Sequence, residues 1–264
     1  PLPMGVYDII VFNRSFNDFS NIAFRGNSYE TLEAYARKVE TRVDTKTRVE
    51  TRTIISSPDE LAAATLEGFT VTEDMLGNYS QTTYGRTAPS RSSEETPDGL
   101  YHLHFVPKKL TREVSAVLHI EGLNNIRSAT CRLGGVAESI FLATGKTSAN
   151  TVTQEFTPSN PEFSPGSPFN GTLSCEFEIF GLNVIDNNNL HLDALLVDGK
   201  TEFEGDCTNV KITENDDGTG SITLILEAST EKVPDVKPEG GAGSGFDVDV
   251  DGWGNEINTD IPIN

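Results

Sequence analysis

The sequence predicts an all-β protein of sandwich type, and three observations predict it. Short stretches in which apolar and polar residues alternate recur along most of the chain, the period-two pattern of strands with one buried face. Turn-forming clusters such as Asn215-Asp216-Asp217-Gly218 and Asp198-Gly199 separate them. One segment alone, residues 57–66, carries the signals of a helix start.

The elements follow in order. Residues 6–12, VYDIIVF, form a short apolar strand, and residues 21–25 form a second. Between residues 41 and 53 the β-branched Thr41, Val43, Thr45, Thr47, Val49, Thr51 and Thr53 alternate with Arg42, Asp44, Lys46, Arg48, Glu50 and Arg52. That alternation predicts one or two amphipathic strands. Mixed charge on their outer face opposes edge-to-edge aggregation. Ser57-Pro58-Asp59-Glu60 then reads as a capping box, with Pro58 in the first turn, and a short helix is expected through about Leu66. Residues 87–99, TAPSRSSEETPDG, read as an exposed loop. A strand at 101–106 precedes Pro107, where a domain boundary is expected.

The second half repeats the style. Strands are expected at 114–120, 128–133, 172–180, 191–197, 209–212 and 221–228, the last two forming a hairpin. Residues 134–143 read equally as helix or strand. Residues 233–245, Pro-rich and then Gly-rich, read as a linker. A terminal strand follows.

Charge is uneven. The chain carries a net charge of -20. Residues 1–110 hold 12 basic and 15 acidic residues, against 8 and 25 in residues 111–264. Such an acidic second half repels nucleic acid and anionic membrane surfaces, since binding to phosphates relies on Lys and Arg. Cys131, Cys175 and Cys207 lack the CxxC spacing of zinc or redox sites, and are read as small buried residues. No apolar run is long enough to span a membrane as a helix, and the opening PLPMGVYDIIVF reads as a processed or trimmed start.

Several motifs invite a chemical reading. FDVDVDGWGNE, residues 246–256, sets Asp247, Asp249, Asp251 and Gly252 as a calcium loop does. Its bidentate glutamate position falls on Asn258, however, and a glycine-rich stretch stands where a helix should precede. Gly145-Lys146-Thr147 lacks the phosphate-loop glycine, because position 140 is Ile140. GAGSG, residues 241–245, lacks the nucleophile-elbow spacing. His102 and His104 share a strand face and could hold zinc only with a third ligand such as His119 or His191. Catalytic, cofactor-binding and metal residues are therefore all assigned as none.

Four groups of residues resemble one family. LPMGVYDIIVFN, GLNNIRSATCRLGGVAESIFLATGK, the series FEIFGLN, LDALLVDGKTEF and DCTN, and PDVKPEGGAGSGFDVDVDGWGNE with the closing DIPIN are similar to segments of Bacteroidales fimbrillin-like proteins. The resemblance is patchy over residues 1–107 and fairly continuous from 110 to 264. It implies two tandem transthyretin-like β-sandwich domains, 1–107 and 108–264, with the short helix in the first. It also implies an exported cell-surface protein, a fimbrial shaft, anchor or tip component or a related adhesin, with no catalytic residues.

The partners implied are other fimbrial subunits or a host or bacterial surface ligand. Contact with the outer membrane would run only through a lipid anchor upstream of Pro1. Family members carry further strands before the LPxGxY segment, so the first sandwich is expected to be open and fillable by a neighbour's strand. Phe246, Val248, Val250, Trp253, Ile261 and Ile263 are expected to be the plugs of the terminal strand, which is expected to pack on its own sandwich. The alternative is a stand-alone surface module binding carbohydrate or protein, which would display an aromatic platform. A hydrolase would need a pocket converging on His102, His104 and carboxylates.

Overall fold

The computed structural model describes residues 2–43, 51–76, 93–95, 101–183, 188–216 and 222–238. The described chain is almost entirely β. Its helical content is three single 3-10 turns, Phe16–Asp18, Glu73–Leu76 and Leu123–Asn125.

The first half contributes β1 (Gly5–Phe12), β2 (Ile22–Arg25), β3 (Glu33–Ala36), β4 (Lys38–Val43), β5 (Thr51–Ile55), β6 (Ala62–Val71), β7 (Ser93–Glu95), β8 (Tyr101–Leu103) and β9 (Lys108–Lys109). The second contributes β10 (Arg112–Glu121), β11 (Ile126–Ala137), β12 (Ser139–Phe141), β13 (Thr151–Phe156), β14 (Asn160–Phe163), β15 (Asn170–Ile179), β16 (Leu190–Leu196), β17 (Glu202–Asp206), β18 (Thr208–Asp216) and β19 (Ile222–Ser229).

Two large sheets carry the fold. One has the order β14-β15-β10-β19-β18, the other β17-β16-β11-β13-β5-β4. Period-two alternation turns one face of each inward. Val114, Ala116, Leu118 and Ile120 of β10 and Leu224, Leu226 and Ala228 of β19 are buried from one sheet. Cys131 and Leu133 of β11 and Leu190, Leu192, Ala194 and Leu196 of β16 are buried from the other, and all join one core. Two inner faces interdigitating across a shared core make a sandwich-like arrangement. All three cysteines are free thiols packed into or against this core.

Among the described strands two pairings are parallel. β10 runs beside β19 from Glu113 opposite Thr223 to His119 opposite Ser229, and β13 meets β5 at Thr153–Ile54 and Gln154–Ile55. Strands from both sides of residue 107 therefore share sheets: β5 and β4 extend the six-stranded sheet, and β12 pairs with β3 in a small sheet of order β12-β3-β2. A polar network reinforces the second junction. Arg25 donates to Glu33 at 2.5 Å and to Glu138 at 3.3 Å, and Ser139 donates to Glu33 at 2.6 Å.

Several expectations meet the structure differently. The helix over 57–66 is absent: residues 57–61 are irregular and Ala62 opens β6. The Ser57 hydroxyl, expected to cap a helix, instead bonds the backbone of Glu178 on β15. Leu61 is fully buried, and its carbonyl accepts from the amides of Leu110 and Thr111. Long-range pairing of β6 with β1 thus overrides local capping signals.

Residues 134–143, which read equally as helix or strand, are strand at 134–137 and Ser139–Phe141. Gly134 and Gly135 lie where the β11–β13 register shifts, between Leu133 and Val136, so they form a bulge and the strand continues. The linker expected from residue 233 begins packed: Val233 is fully buried and its amide donates to the Glu121 carbonyl. The strand expected at 101–106 is shorter, ending at Leu103.

Candidate interaction surface

β1 ends a three-stranded sheet of order β1-β6-β9. Its 8 residues read GVYDIIVF. One side is bonded to β6 from Gly5 opposite Val71 to Phe12 opposite Ala63. The other side has no strand partner among the described residues, so it presents a strand edge of the kind that can accept another strand.

Burial also changes along β1. Ile10 and Phe12 pack against the core. Phe12 heads a cluster with Phe16, Phe19 and Phe24, in which Phe12 and Phe24 stack at 5.4 Å and Phe16 meets Phe24 edge-on at 4.6 Å. Toward the start of the strand the core no longer covers it: Val6 is 70% exposed, flanked by exposed Leu2 and Met4. Asp8 accepts the Gly68 amide at 2.8 Å, within the register shift between Tyr7 and Ile9. The arrangement offers an extended backbone edge beside an apolar stripe. It is suited to strand addition and burial rather than to proton or group transfer.

A second apolar feature is the β14–β15 hairpin. All of β14 is exposed. Phe163 is 48% and Phe169 59% exposed, which gives the aromatic display that a binding module would need. Gly171 lets the hairpin close, since a Cβ there would sit 2.2 Å from the Glu162 carbonyl oxygen.

Charged groups converge elsewhere. On β11, β13, β16 and β17, Glu155, Arg132, His191 and Asp206 stand opposite one another in a row. Arg132 donates to Glu155 at 3.0 Å and also to Asp193. Burial alone would lower the Arg132 pKa, but the carboxylates of Asp193 and Glu155 outweigh it and hold the guanidinium charged. His191 meets Asp206 at 2.9 Å through Nδ1 and Asp193 at 3.1 Å through Nε2.

Among the described residues, His191, Asp193 and Glu204 are the group whose ligand atoms lie close enough to hold a cation, within 4.8 Å of one another. Both His191 nitrogens and the Asp193 carboxylate already have protein partners, so the group is a surface charge ladder. The period-two sequences HLD in β16 and EFE in β17 place these side chains on one face, a signal the sequence reading did not use.

The residues singled out from the sequence fall as follows. His102 and His104 are exposed. His102 stands opposite Glu94 in the two-stranded β7–β8 sheet. The structure does not group either with His119 on β10 or His191 on β16. Phe246, Val248, Val250, Trp253, Ile261 and Ile263 lie outside the described residues.

The fold and this surface define an all-β, sandwich-like protein whose β1 edge no described strand covers. The chain belongs to the DUF5119 family, a domain of unknown function, whose model matches residues 1–157. No curated protein matches it. Among solved structures, an adhesin candidate from Bacteroides ovatus ATCC 8483 superposes with a TM-score of 0.48 at 16% identity, over 78% of this chain and 66% of that one. Another from Bacteroides thetaiotaomicron VPI-5482 gives 0.37 at 12% identity, over 77% and 60%. A third, from Bacteroides ovatus, gives 0.31 at 8%, over 77% and 55%. The chain spans less than two thirds of each of these proteins.

Proposed function

We propose that the chain is a cell-surface structural or adhesive subunit of the fimbrillin-like class, exported to the outer membrane or a fimbrium and assembling by strand complementation. One observation carries this reading: the edge of β1, which no described strand covers, bordered by Leu2, Met4 and Val6. An open apolar edge of this length is an aggregation hazard in a protein that works alone. In an assembling subunit it is the acceptor for a partner's strand.

In this reading residues 1–107 and 108–264 are two transthyretin-like units joined along β5–β13 and β3–β12. Partners are further subunits or a surface ligand, no nucleic acid takes part, and membrane contact runs through a lipid anchor. The plug residues of 246–264 pack on their own sandwich.

The test is light scattering of the full chain across a concentration series, with Val6→Lys beside it. A lysine on the exposed face of an edge strand opposes strand addition. Oligomers that grow with concentration and vanish in the variant support the reading. A chain that stays monomeric throughout sinks it.

A second reading, a stand-alone binding module, is favoured by the exposed pair Phe163 and Phe169. Loss of binding to surface glycans or proteins in Phe169→Ala, with an unchanged oligomeric state, would select it.

A further inference from the structure

Gly145, Lys146 and Thr147 do not make a phosphate loop, yet they form one lip of a cleft of about 510 Å³. Lys109, Leu110, Thr111 and Arg112 line it from the other side. Half-buried Leu110 and Ile222, backed by fully buried Phe180 and Ile140, give it a small apolar floor. The volume lies in the range of roughly 300–1,000 Å³ typical of small-molecule sites.

The lip is held by backbone bonds. The Phe141 amide donates to the Lys146 carbonyl at 2.9 Å, the Gly145 amide to the Phe141 carbonyl at 2.8 Å, and Thr147 bridges to Ile140. Lys146 is therefore presented from a fixed turn.

The charge of the lining is opposite to that of the chain. Lys109, Arg112 and Lys146 line the cleft and no carboxylate does, in a protein with 40 acidic and 20 basic residues. Lys109 pairs with Glu178 at 2.7 Å and Arg112 with Glu214 at 2.9 Å, both carboxylates lying outside the lining. Lys146 is exposed and has no carboxylate partner among the described residues. The lining hydroxyls are engaged: Thr147 donates to Asn183 at 3.2 Å, and Thr111 accepts from the Leu61 amide at 3.3 Å. A neutral sugar, which needs acceptors for its own hydroxyls, finds few here.

We propose that this cleft binds an amphipathic carboxylate, with its apolar body against Leu110 and Ile222 and its carboxylate on Lys146. The site is independent of the β1 edge, so it stands whether or not the chain assembles.

The experiment is a titration of the full chain with decanoate, followed by calorimetry and amide chemical shifts, with decanol as the uncharged control. Decanoate should bind and move the amides of residues 110–112, 140 and 145–147. Lys146→Gln should weaken it about tenfold, the worth of one charge-assisted hydrogen bond. Arg112→Gln should weaken it less, because that guanidinium is already paired. Equal binding of decanoate and decanol, shifts confined to the β1 stripe, or unchanged affinity in a folded Lys146→Gln chain would each overturn the proposal.

Discussion

Ser57 and Glu178 are joined twice through a single hydroxyl. Ser57 Oγ accepts the Glu178 amide at 2.9 Å and donates to the Glu178 carbonyl at 3.2 Å. β14 covers β15 only from Gly171 to Ser174, so the far end of that edge is open, and Ser57 satisfies it in place of a strand. Ser57→Ala leaves both backbone groups of Glu178 without this partner. It should cost about 1–2 kcal/mol of unfolding free energy in denaturant titration. A cost near zero would mean that water replaces the hydroxyl without penalty.

Gln154 presents the opposite case. It is fully buried on β13 beside Val152 and Phe156, and neither amide atom of its side chain has a partner. Gln154→Met keeps the volume and removes both unsatisfied groups. It should stabilise the chain by about 1–2 kcal/mol, read as a raised denaturation midpoint. A lowered midpoint would reveal an ordered water bound to the amide.

Glu33 ties stability to acid pH. Burial alone would raise its pKa, but hydrogen bonds from Arg25 and Ser139 outweigh it and hold the carboxyl below its ordinary value of 4.5. A carboxyl depressed in the folded state contributes stability that is complete above the unfolded value and is lost as pH falls through the folded one. The stability difference between the wild-type chain and Glu33→Gln should be constant at near-neutral pH and shrink below about pH 4.5. A difference that stays constant at acid pH would contradict the ion pair's role.

The thiols of Cys175 and Cys207 are pushed up to about 11 by burial, with Glu176 and Asp206 adding to it respectively. At about pH 8 the thiolate fraction is about a hundredfold below that of a free cysteine. Alkylation of the native chain should be slow by a comparable factor, and denaturant should restore the ordinary rate. Fast labelling of the folded chain would show that these strands open readily.

The sequence was most legible where a strand's pattern needed only itself. TLSCEFEIF announces β15 because Leu173, Phe177 and Ile179 face the core in alternate positions. Neighbours are harder to read, since period two says which face is buried and not which strand lies beside it. The parallel pairings of β10 with β19 and β13 with β5 carry no local mark.

Local punctuation also misled. Ser57 and Glu60 spell a capping box, yet Leu61 gains more by full burial between β6 and the start of β10. Gly134-Gly135 looks like a stop and is a bulge. At the surface, Val6, Phe16, Phe163 and Phe169 look like core residues in sequence. Their exposure follows from the fold, in which no described element covers them.

The parallel run of β10 and β19 bears on how such a molecule would carry tension. The chain enters β10 at Arg112 and leaves β19 at Ser229, at opposite ends of the pair. A pull between the first half and the C-terminal end would therefore load the rungs from Glu113 to His119 together, in shear, instead of peeling them open one by one. A subunit strung in a tether would resist extension at this seam, and the docked Val233 would be the first contact to give way.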